Sequence, residues 1–127
     1  MRINFPYTAK GERQYPLVDI DLSKGRKSLL VKALVDSGAS FSVFRPEIAE
    51  FLGVSIEKGE AFYLEGIGGR ILGYLHLLNA RVGSKNFRCK IVFSREFTVS
   101  FNLLGRDNFF ENFLVTFDEK KKSITLG

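Results

Sequence analysis

Apolar residues alternate with polar ones along most of the chain, and this period of two limits the possible folds more than any other feature of the sequence. Successive side chains of a β-strand point to opposite faces of a sheet, so this pattern is typical of strands with one buried face. Turn residues interrupt the pattern at intervals of about ten residues, as expected for short strands joined by tight turns. We therefore predict an all-β fold.

The same pattern places the individual strands along the chain. Turns are predicted at residues 23–27, at Gly66-Ile67-Gly68-Gly69 and at residues 82–86, where glycine and small polar residues interrupt the apolar alternation. The predicted strands are Tyr15 to Leu22, Ser28 to Val35, long paired strands between Ala61 and Phe93, and a last hairpin formed by Leu114 to Phe117 and Ser123 to Leu126.

Two short helices are expected to interrupt the strands. Pro46 suits the first position of a helix that follows Arg45, and Gly53 can end it. A second helical turn is predicted to begin at Asp107, whose carboxylate can cap free backbone N–H groups. Ile48, Phe51 and Leu52 are expected to lie on one face of the first helix, and Phe109, Phe110 and Phe113 are expected to pack inward from the second.

Chain length and composition limit the class of protein. A chain of 127 residues fits a single domain, 1–127, and any two-lobed enzyme of this size must obtain its other lobe from a second chain. With 45% hydrophobic and 26% charged residues, the chain can build a core, which excludes a disordered protein. No apolar run approaches the ~18 residues of a membrane span, and no signal peptide is recognisable. Cytoplasmic localisation is the default expectation.

The single cysteine, Cys89, excludes an internal disulfide and a cysteine-based metal cage. His76 lies in an alternating strand without a second histidine, so we interpret it as structural and expect neither metal nor cofactor. The net charge of +5 and the run Lys120-Lys121-Lys122 raise the alternative of a small nucleic-acid-binding barrel. Core packing explains the positions of most aromatic residues better, and we expect no nucleic-acid or membrane partner.

Three segments carry the chemistry. Asp36-Ser37-Gly38 directly follows an apolar strand, where a carboxylate needs hydrogen bonds or a partner charge to compensate for lost hydration. Gly38 has no Cβ and lets its backbone N–H approach that carboxylate. Gly66-Ile67-Gly68-Gly69 forms a hairpin tip that can bend towards a substrate and away from it. Leu103-Leu104-Gly105-Arg106 again delivers an apolar strand into a glycine loop. Side by side, the two strand ends would hold the Asp36 loop rigidly.

In this order and spacing, the three segments resemble those of the retropepsin-like, or retroviral-type, aspartic proteases. The resemblance covers roughly Leu17 to Phe113 and implies a single-lobe acid-protease β-barrel. It implies the following roles: Asp36 as the catalytic residue; Ser37, Gly38 and Ala39 as support of its loop; Gly66, Ile67, Gly68 and Gly69 as a flap over the substrate; and Leu104, Gly105 and Arg106 as a second loop that also supports a dimer.

The resemblance further implies an aspartic endopeptidase that needs two carboxylates around one water molecule. The other aspartates of the chain lack the setting of Asp36, so the second carboxylate is expected to be Asp36 of another copy, in a symmetric homodimer. A peptide or protein substrate would bind as an added β-strand. The alternative is a dimerisation or peptide-binding module that has the same fold and no turnover.

The chain departs from the family pattern at two places. Several retroviral enzymes carry an aspartate four residues after the catalytic one, and it pairs with the arginine of the second loop; here that position is Ser40. Arg106 therefore needs another partner, either Asp107 or the other subunit. The chain also continues into a hairpin at Leu114 to Leu126, where many viral enzymes end with a single interface strand.

Overall fold

A computed structural model describes residues 1–66 and 69–127. Its strands are β1 Ile3–Pro6, β2 Thr8–Lys10, β3 Arg13–Tyr15, β4 Leu17–Lys24, β5 Lys27–Val35, β6 Val43–Phe44, β7 Glu60–Gly66, β8 Gly69–Val82, β9 Lys85–Phe93, β10 Asn102–Leu104, β11 Val115–Asp118 and β12 Ser123–Leu126. Helix α1 spans Pro46–Leu52, and short 3-10 turns span Ile56–Lys58 and Phe110–Asn112.

The main sheet has the strand order β4, β5, β10, β6, β9, β8, β7. Strand β4 pairs with β8 as well as with β5, so the sheet closes into a barrel and β7 lies outside the closure. Antiparallel hairpins β4–β5, β7–β8 and β8–β9 follow the predicted alternation. The all-β barrel predicted from the sequence is therefore confirmed.

Two parallel pairings bring distant parts of the chain together inside this sheet. Strand β10 runs beside β5 with Leu104 opposite Val35, and β6 runs beside β9 with Val43 opposite Val92. Because parallel strands end at the same edge, the loops that follow β5 and β10 leave the sheet next to each other. The expectation that these two strands end side by side is confirmed.

The barrel interior is filled by aliphatic and aromatic side chains. Phe44, Phe93, Phe109, Ile20 and Leu22 are all completely buried. The only cysteine of the chain is also buried there, and burial raises the pKa of its thiol to about 12. A thiol with such a pKa remains protonated at neutral pH and is a poor nucleophile.

Helix α1 begins and ends as its sequence predicts. Pro46 is its first residue, and Gly53 ends it in the left-handed conformation, with φ 71°. Leu52 is buried and Ile48 packs against the core, whereas Phe51, expected on the same face, is 54% exposed. A helix of two turns offers the barrel only a narrow face, and Ala49 takes the buried position.

The second helical segment differs from its prediction. The 3-10 turn at Phe110–Asn112 replaces a helix that begins at Asp107, and no side chain caps it. The Asp107 carboxylate instead lies 3.2 Å from the Lys90 ammonium on β9. The Asp107 carboxylate, which the sequence pattern predicted as a helix cap, is therefore paired with a lysine from a distant strand. Phe109 is buried as predicted.

The two chain ends form a separate small sheet in the order β1, β12, β11. The hairpin β11–β12 is the predicted last hairpin, with Phe117 opposite Ile124. Strand β1 was not predicted, because four residues with Pro6 at their end give too short a pattern. Helices long and apolar enough to cross a membrane are absent from the described residues.

Candidate active site

Asp36 lies directly after β5, at the edge of the barrel where β10 also ends. Its backbone N–H donates to the carbonyl oxygen of Leu104 at 3.0 Å, and the N–H of Val35 donates to that of Pro16 at 3.0 Å. The backbone of Asp36 is therefore fixed from both neighbouring strands. Its side chain is only half-buried in the single chain.

The loop from Asp36 to Ala39 folds back on the carboxylate. The N–H of Gly38 donates to Oδ1 of Asp36 at 2.9 Å, and the N–H of Ala39 donates to the carbonyl oxygen of Asp36 at 3.2 Å. A Cβ added at position 38 would lie 3.3 Å from Oδ1, so a glycine allows this approach without displacing the carboxylate. The carboxylate thus has a defined orientation and stays accessible. Ser37 is exposed beside it.

The loop after β10 is bonded to the Asp36 loop by its backbone. The N–H of Arg106 donates to the carbonyl oxygen of Ala39 at 2.9 Å, and the N–H of Asp107 donates to the carbonyl oxygen of Ser40 at 2.8 Å. Gly105 packs so closely against this loop that a Cβ would overlap the carbonyl oxygen of Phe41. Glycine is required here for the close approach of two backbones, since its own φ is not positive.

Two buried polar residues complete the support of the site, and sequence reasoning missed both. Ser42 is fully buried, and its Oγ accepts the N–H of Gly105 at 3.0 Å. Asn102 accepts the N–H of Arg45 at 2.9 Å through Oδ1, which ties β10 to the start of α1. Asn102 offered a sequence signal, a polar residue at the start of an apolar strand, since such groups are hydrogen-bonded when buried. Ser42, which precedes β6, offered none.

Arg106 is exposed. It lines a surface pocket with Ser40 and Asp107, but Asp107 is bound to Lys90. Across residues 1–66 and 69–127, Arg106 lies within salt-bridge distance of no carboxylate. Asp107, one of the two partners expected from the sequence, is paired with Lys90 instead. The other expectation, a partner in a second subunit, stays a prediction.

The glycine-rich hairpin β7–β8 lies next to the loop that follows Asp36. The ring of Phe62 on β7 packs against the ring of Phe41, with centroids 5.2 Å apart. At the far end, Gly66 pairs with Gly69, whose φ of 112° is accessible only to glycine at low cost. The remaining predicted flap residues, Ile67 and Gly68, lie outside the described residues.

Most of the other aspartates form salt bridges with lysine or arginine side chains. Asp19 lies 3.0 Å from the Lys32 ammonium, and Asp21 lies 3.4 Å from the Arg81 guanidinium. In the described part of the chain, no three His, Cys, Asp or Glu side chains gather as a metal site would require.

One glutamate, Glu119, shares a pocket with Asp36. It accepts a hydrogen bond from the Tyr7 hydroxyl, and its Oε1 lies 3.5 Å from the Lys122 ammonium. The Tyr7 bond is the main cause that lowers the pKa of Glu119, and burial together with the same bond raises the pKa of Tyr7 to about 12. Glu119 is therefore held ionised and is poorly suited to share a proton with Asp36.

The sequence of this chain is similar to that of a known protein over part of its length. No family model matches the chain. It is 35% identical over 80 residues to DNA damage-inducible protein 1 of Neurospora crassa, a match that covers 61% of this chain and 18% of that protein. The chain thus spans less than a fifth of the length of this curated relative.

Solved structures match over far more of the chain. A retropepsin-like aspartic protease from Rickettsia conorii is 18% identical to this chain. The match covers 99% of this chain and 90% of the Rickettsia chain, with a TM-score of 0.71. The EIAV protease, solved in complex with an inhibitor, is 15% identical to this chain. The match covers 82% of this chain and 93% of the EIAV chain, with a TM-score of 0.60. The chain therefore has the fold of the retropepsin-like aspartic proteases.

Proposed function

We propose that the protein is an aspartic endopeptidase that acts as a homodimer, with one Asp36 from each chain in a shared site. The observation that carries this proposal is the setting of Asp36. It is an accessible carboxylate at the end of a core strand, oriented by the N–H of Gly38 and fixed by the backbone of β10. A binding surface alone does not need a carboxylate held in this way.

The chemistry requires two carboxylates that share one proton and one water molecule. Two carboxylates that lie so close cannot both ionise, so one stays protonated at the pH at which the other is charged. The ionised Asp36 removes a proton from the attacking water, while the protonated Asp36 donates a hydrogen bond and then its proton to the oxygen of the scissile carbonyl. The tetrahedral intermediate then collapses. The Asp36 that took the proton from water donates it to the leaving amine as the C–N bond breaks, and the other Asp36 regains its proton from a hydroxyl of the intermediate.

The need for a second chain is argued from the other aspartates and from Glu119, the acid that shares a pocket with Asp36. Asp118 ends β11, and its Oδ1 accepts the N–H of Lys121 in the turn of the last hairpin. Asp19, Asp21 and Asp107 are each paired with a cation, and Glu119 is held by Tyr7 and Lys122. A two-fold axis beside Asp36 supplies an identical carboxylate without any further residue. The exposed Ser37 then faces the partner's loop, and the free guanidinium of Arg106 is available for a carboxylate of the partner.

The remaining predicted site residues take supporting roles in this proposal. Gly38 and Ala39 hold the Asp36 loop, and Leu104 and Gly105 hold it from the neighbouring strand. The hairpin tip at residues 66–69 closes over the substrate and excludes water. A peptide substrate lies extended between this tip and Asp36, with main-chain hydrogen bonds for affinity and alternate side chains in pockets.

The test is cleavage of a diverse peptide mixture, read by mass spectrometry at several pH values, with concentrated protein and with Asp36→Asn in parallel. We expect cuts made by the wild type alone, because an amide cannot act as the proton-accepting carboxylate. Sedimentation at the same concentration controls for association. A wild type that is dimeric and makes no cuts would exclude the endopeptidase and favour a binding module with this fold.

A further inference from the structure

Strand β8 extends past the end of its neighbour β9. It spans 14 residues, Gly69–Val82, and pairs with β9 only as far as Tyr74. Residues 69–73 pair with β7 on their other side. The chain leaves the β8–β9 ladder at Ser94, so no strand of the described residues lies beside Leu72, the second residue beyond Tyr74. This stretch of β8 is an edge whose backbone groups need other partners.

Two side chains take the place of the missing strand at Leu72. The Ser94 hydroxyl donates to the carbonyl oxygen of Leu72 at 2.6 Å, and the N–H of Leu72 donates to Oε1 of Glu96 at 3.4 Å. The N–H of Glu96 donates in turn to Oγ of Ser94 at 3.1 Å, which closes the network. Both backbone groups of Leu72 are therefore hydrogen-bonded. We call this network of Leu72, Ser94 and Glu96 the Leu72 clamp.

The two side chains of the Leu72 clamp differ in burial. Ser94 is fully buried, and its hydroxyl acts as donor and acceptor at once, whereas Glu96 is exposed. Removal of a buried partner costs more than removal of an exposed one, because water cannot replace it. Gly73, next to Leu72, packs so closely on Val92 that an added Cβ would overlap its side chain. The strand is thus held against the barrel wall at this point, chiefly through Ser94.

The Leu72 clamp lies where hairpin β7–β8 leaves the barrel. Phe62, which lies opposite Gly73, packs against Phe41 in the loop that follows Asp36. Beyond this level, the hydrogen bonds and ion pairs of residues 64–66 and 69–71 stay within the hairpin. The orientation of the outer hairpin relative to the Asp36 loop is therefore decided at the Phe62 contact and at the clamp.

We infer that Ser94 and Glu96 are positioning residues of the proposed peptidase, which hold hairpin β7–β8 in the orientation that binds the peptide. The inference rests on the proposed function, and both residues act through Leu72. Without the clamp, the hairpin occupies this orientation for only part of the time, and the apparent affinity for a peptide falls in proportion to that fraction. A bound peptide restores the orientation, so the chemical step keeps its rate. The expected signature is a higher KM at unchanged kcat.

Steady-state kinetics with a peptide that the wild type cuts test this signature. Ser94→Ala removes the buried hydroxyl and should raise KM about three- to tenfold, as loss of one hydrogen bond would, with kcat within about twofold of the wild type. Glu96→Ala should raise KM about twofold, because its bond is exposed to water. Glu96→Gln, whose amide oxygen can accept the same N–H, should restore the wild-type KM. Thermal unfolding establishes that each variant is folded.

Arg95→Ala is the matched control in the same loop. The Arg95 guanidinium pairs with Glu50 and Glu57 and not with β8, so KM should stay close to that of the wild type. Equal increases of KM in Arg95→Ala and Ser94→Ala would assign the effect to a general loosening of the loop and overturn the inference. A folded Ser94→Ala variant with an unchanged KM, or with a loss in kcat alone, would overturn it as well.

Amide hydrogen exchange separates failure of the clamp from failure of the enzyme. It is followed by NMR on the full chain without peptide, with Ile91 on β9 as the reference for global unfolding. We expect Ser94→Ala and Glu96→Ala to speed exchange at Leu72 about tenfold relative to Ile91, and Arg95→Ala to leave this ratio unchanged. Faster exchange in a protein that cuts no peptide would support the clamp but reject the proposed function, and the positioning role with it. Unchanged exchange at Leu72 in both folded variants would overturn the clamp itself, whatever the peptidase activity.

Discussion

Two parallel strands, β5 and β10, lead into neighbouring loops at the same edge of the barrel, and these two loops differ in chemistry. Asp36 directly follows strand β5, and its half-buried carboxylate receives, from the residues that the structure describes, the N–H of Gly38 alone. Strand β10 runs parallel to it and ends in Gly105, followed by Asp107, whose carboxylate is bound to Lys90. The first loop presents an acid, while the second uses its acid for structure.

Under the proposed function, this difference explains how one chain can be well folded and still lack a complete catalytic dyad. The second loop fixes the first through backbone bonds to Ala39 and Ser40 and through the close packing of Gly105. It offers no free carboxylate that could complete a dyad with Asp36. In the proposed function, a second copy of the first loop supplies the second carboxylate.

The largest expected effect separates the acids of the two loops. Asp36→Asn should lower peptide cleavage by about 10²–10⁴-fold, because general acid–base catalysis is lost. Asp107→Asn should keep cleavage within a few fold of the wild type, since its carboxylate only pairs with Lys90. Initial rates with both variants at equal dimer fraction measure this. Equal losses in the two variants would mean that Asp107 takes part in the chemistry.

The next effect concerns the packing of the two loops. Gly105→Ala should lower the free energy of unfolding by about 3 kcal/mol, because the new Cβ meets backbone carbonyl oxygens of Phe41 and Ala39. Gly66→Ala is the matched control, since a Cβ there meets no described atom within 4 Å. Urea unfolding of both variants decides the point, and equal stability would show that the two backbones are not in close contact.

A smaller effect is expected from the buried hydroxyl between the loops. Ser42→Ala leaves the N–H of Gly105 without its acceptor and should cost about 1–2 kcal/mol of unfolding free energy. Ser40→Ala should change stability by less than about 0.5 kcal/mol, because Ser40 contributes its backbone oxygen to this contact. Urea midpoints that are the same for both variants would remove Ser42 from the support of the site.

The smallest effect is expected from the ion pair of the second loop. Both side chains are about two-fifths exposed, so a double-mutant cycle with Asp107→Asn and Lys90→Gln should give a coupling energy below about 1 kcal/mol. The coupling should shrink further at high salt, where exposed charges are screened. A coupling of several kcal/mol that is independent of salt would indicate a buried pair and a stronger role for this contact.

The parts of the fold that were predictable are those encoded by neighbouring residues. Alternation located β4, β5 and the strands between Glu60 and Phe93, while Pro46 and Gly53 bounded helix α1. Asp36, Gly38 and Gly105 stood out because a carboxylate or glycine after an apolar strand is costly or unusual without a reason.

The other features depend on partners that are distant in sequence. Lys90 lies 17 residues from Asp107 and takes its carboxylate. Ser42 meets Gly105 across 63 residues, so no local pattern assigns its hydroxyl to the site. Phe117 on β11 lines the same pocket as Leu34 and Asp36, and no local sequence pattern places the terminal hairpin there.

The most direct test of a site shared between two chains is a mixing experiment. Wild type and Asp36→Asn are unfolded together, refolded at a constant total concentration and assayed across a range of ratios. If each site needs Asp36 from both chains, activity falls with the square of the wild-type fraction, to about one quarter in an equal mixture. Activity that falls linearly, to about one half, would contradict the shared site and place a complete catalytic centre in each chain.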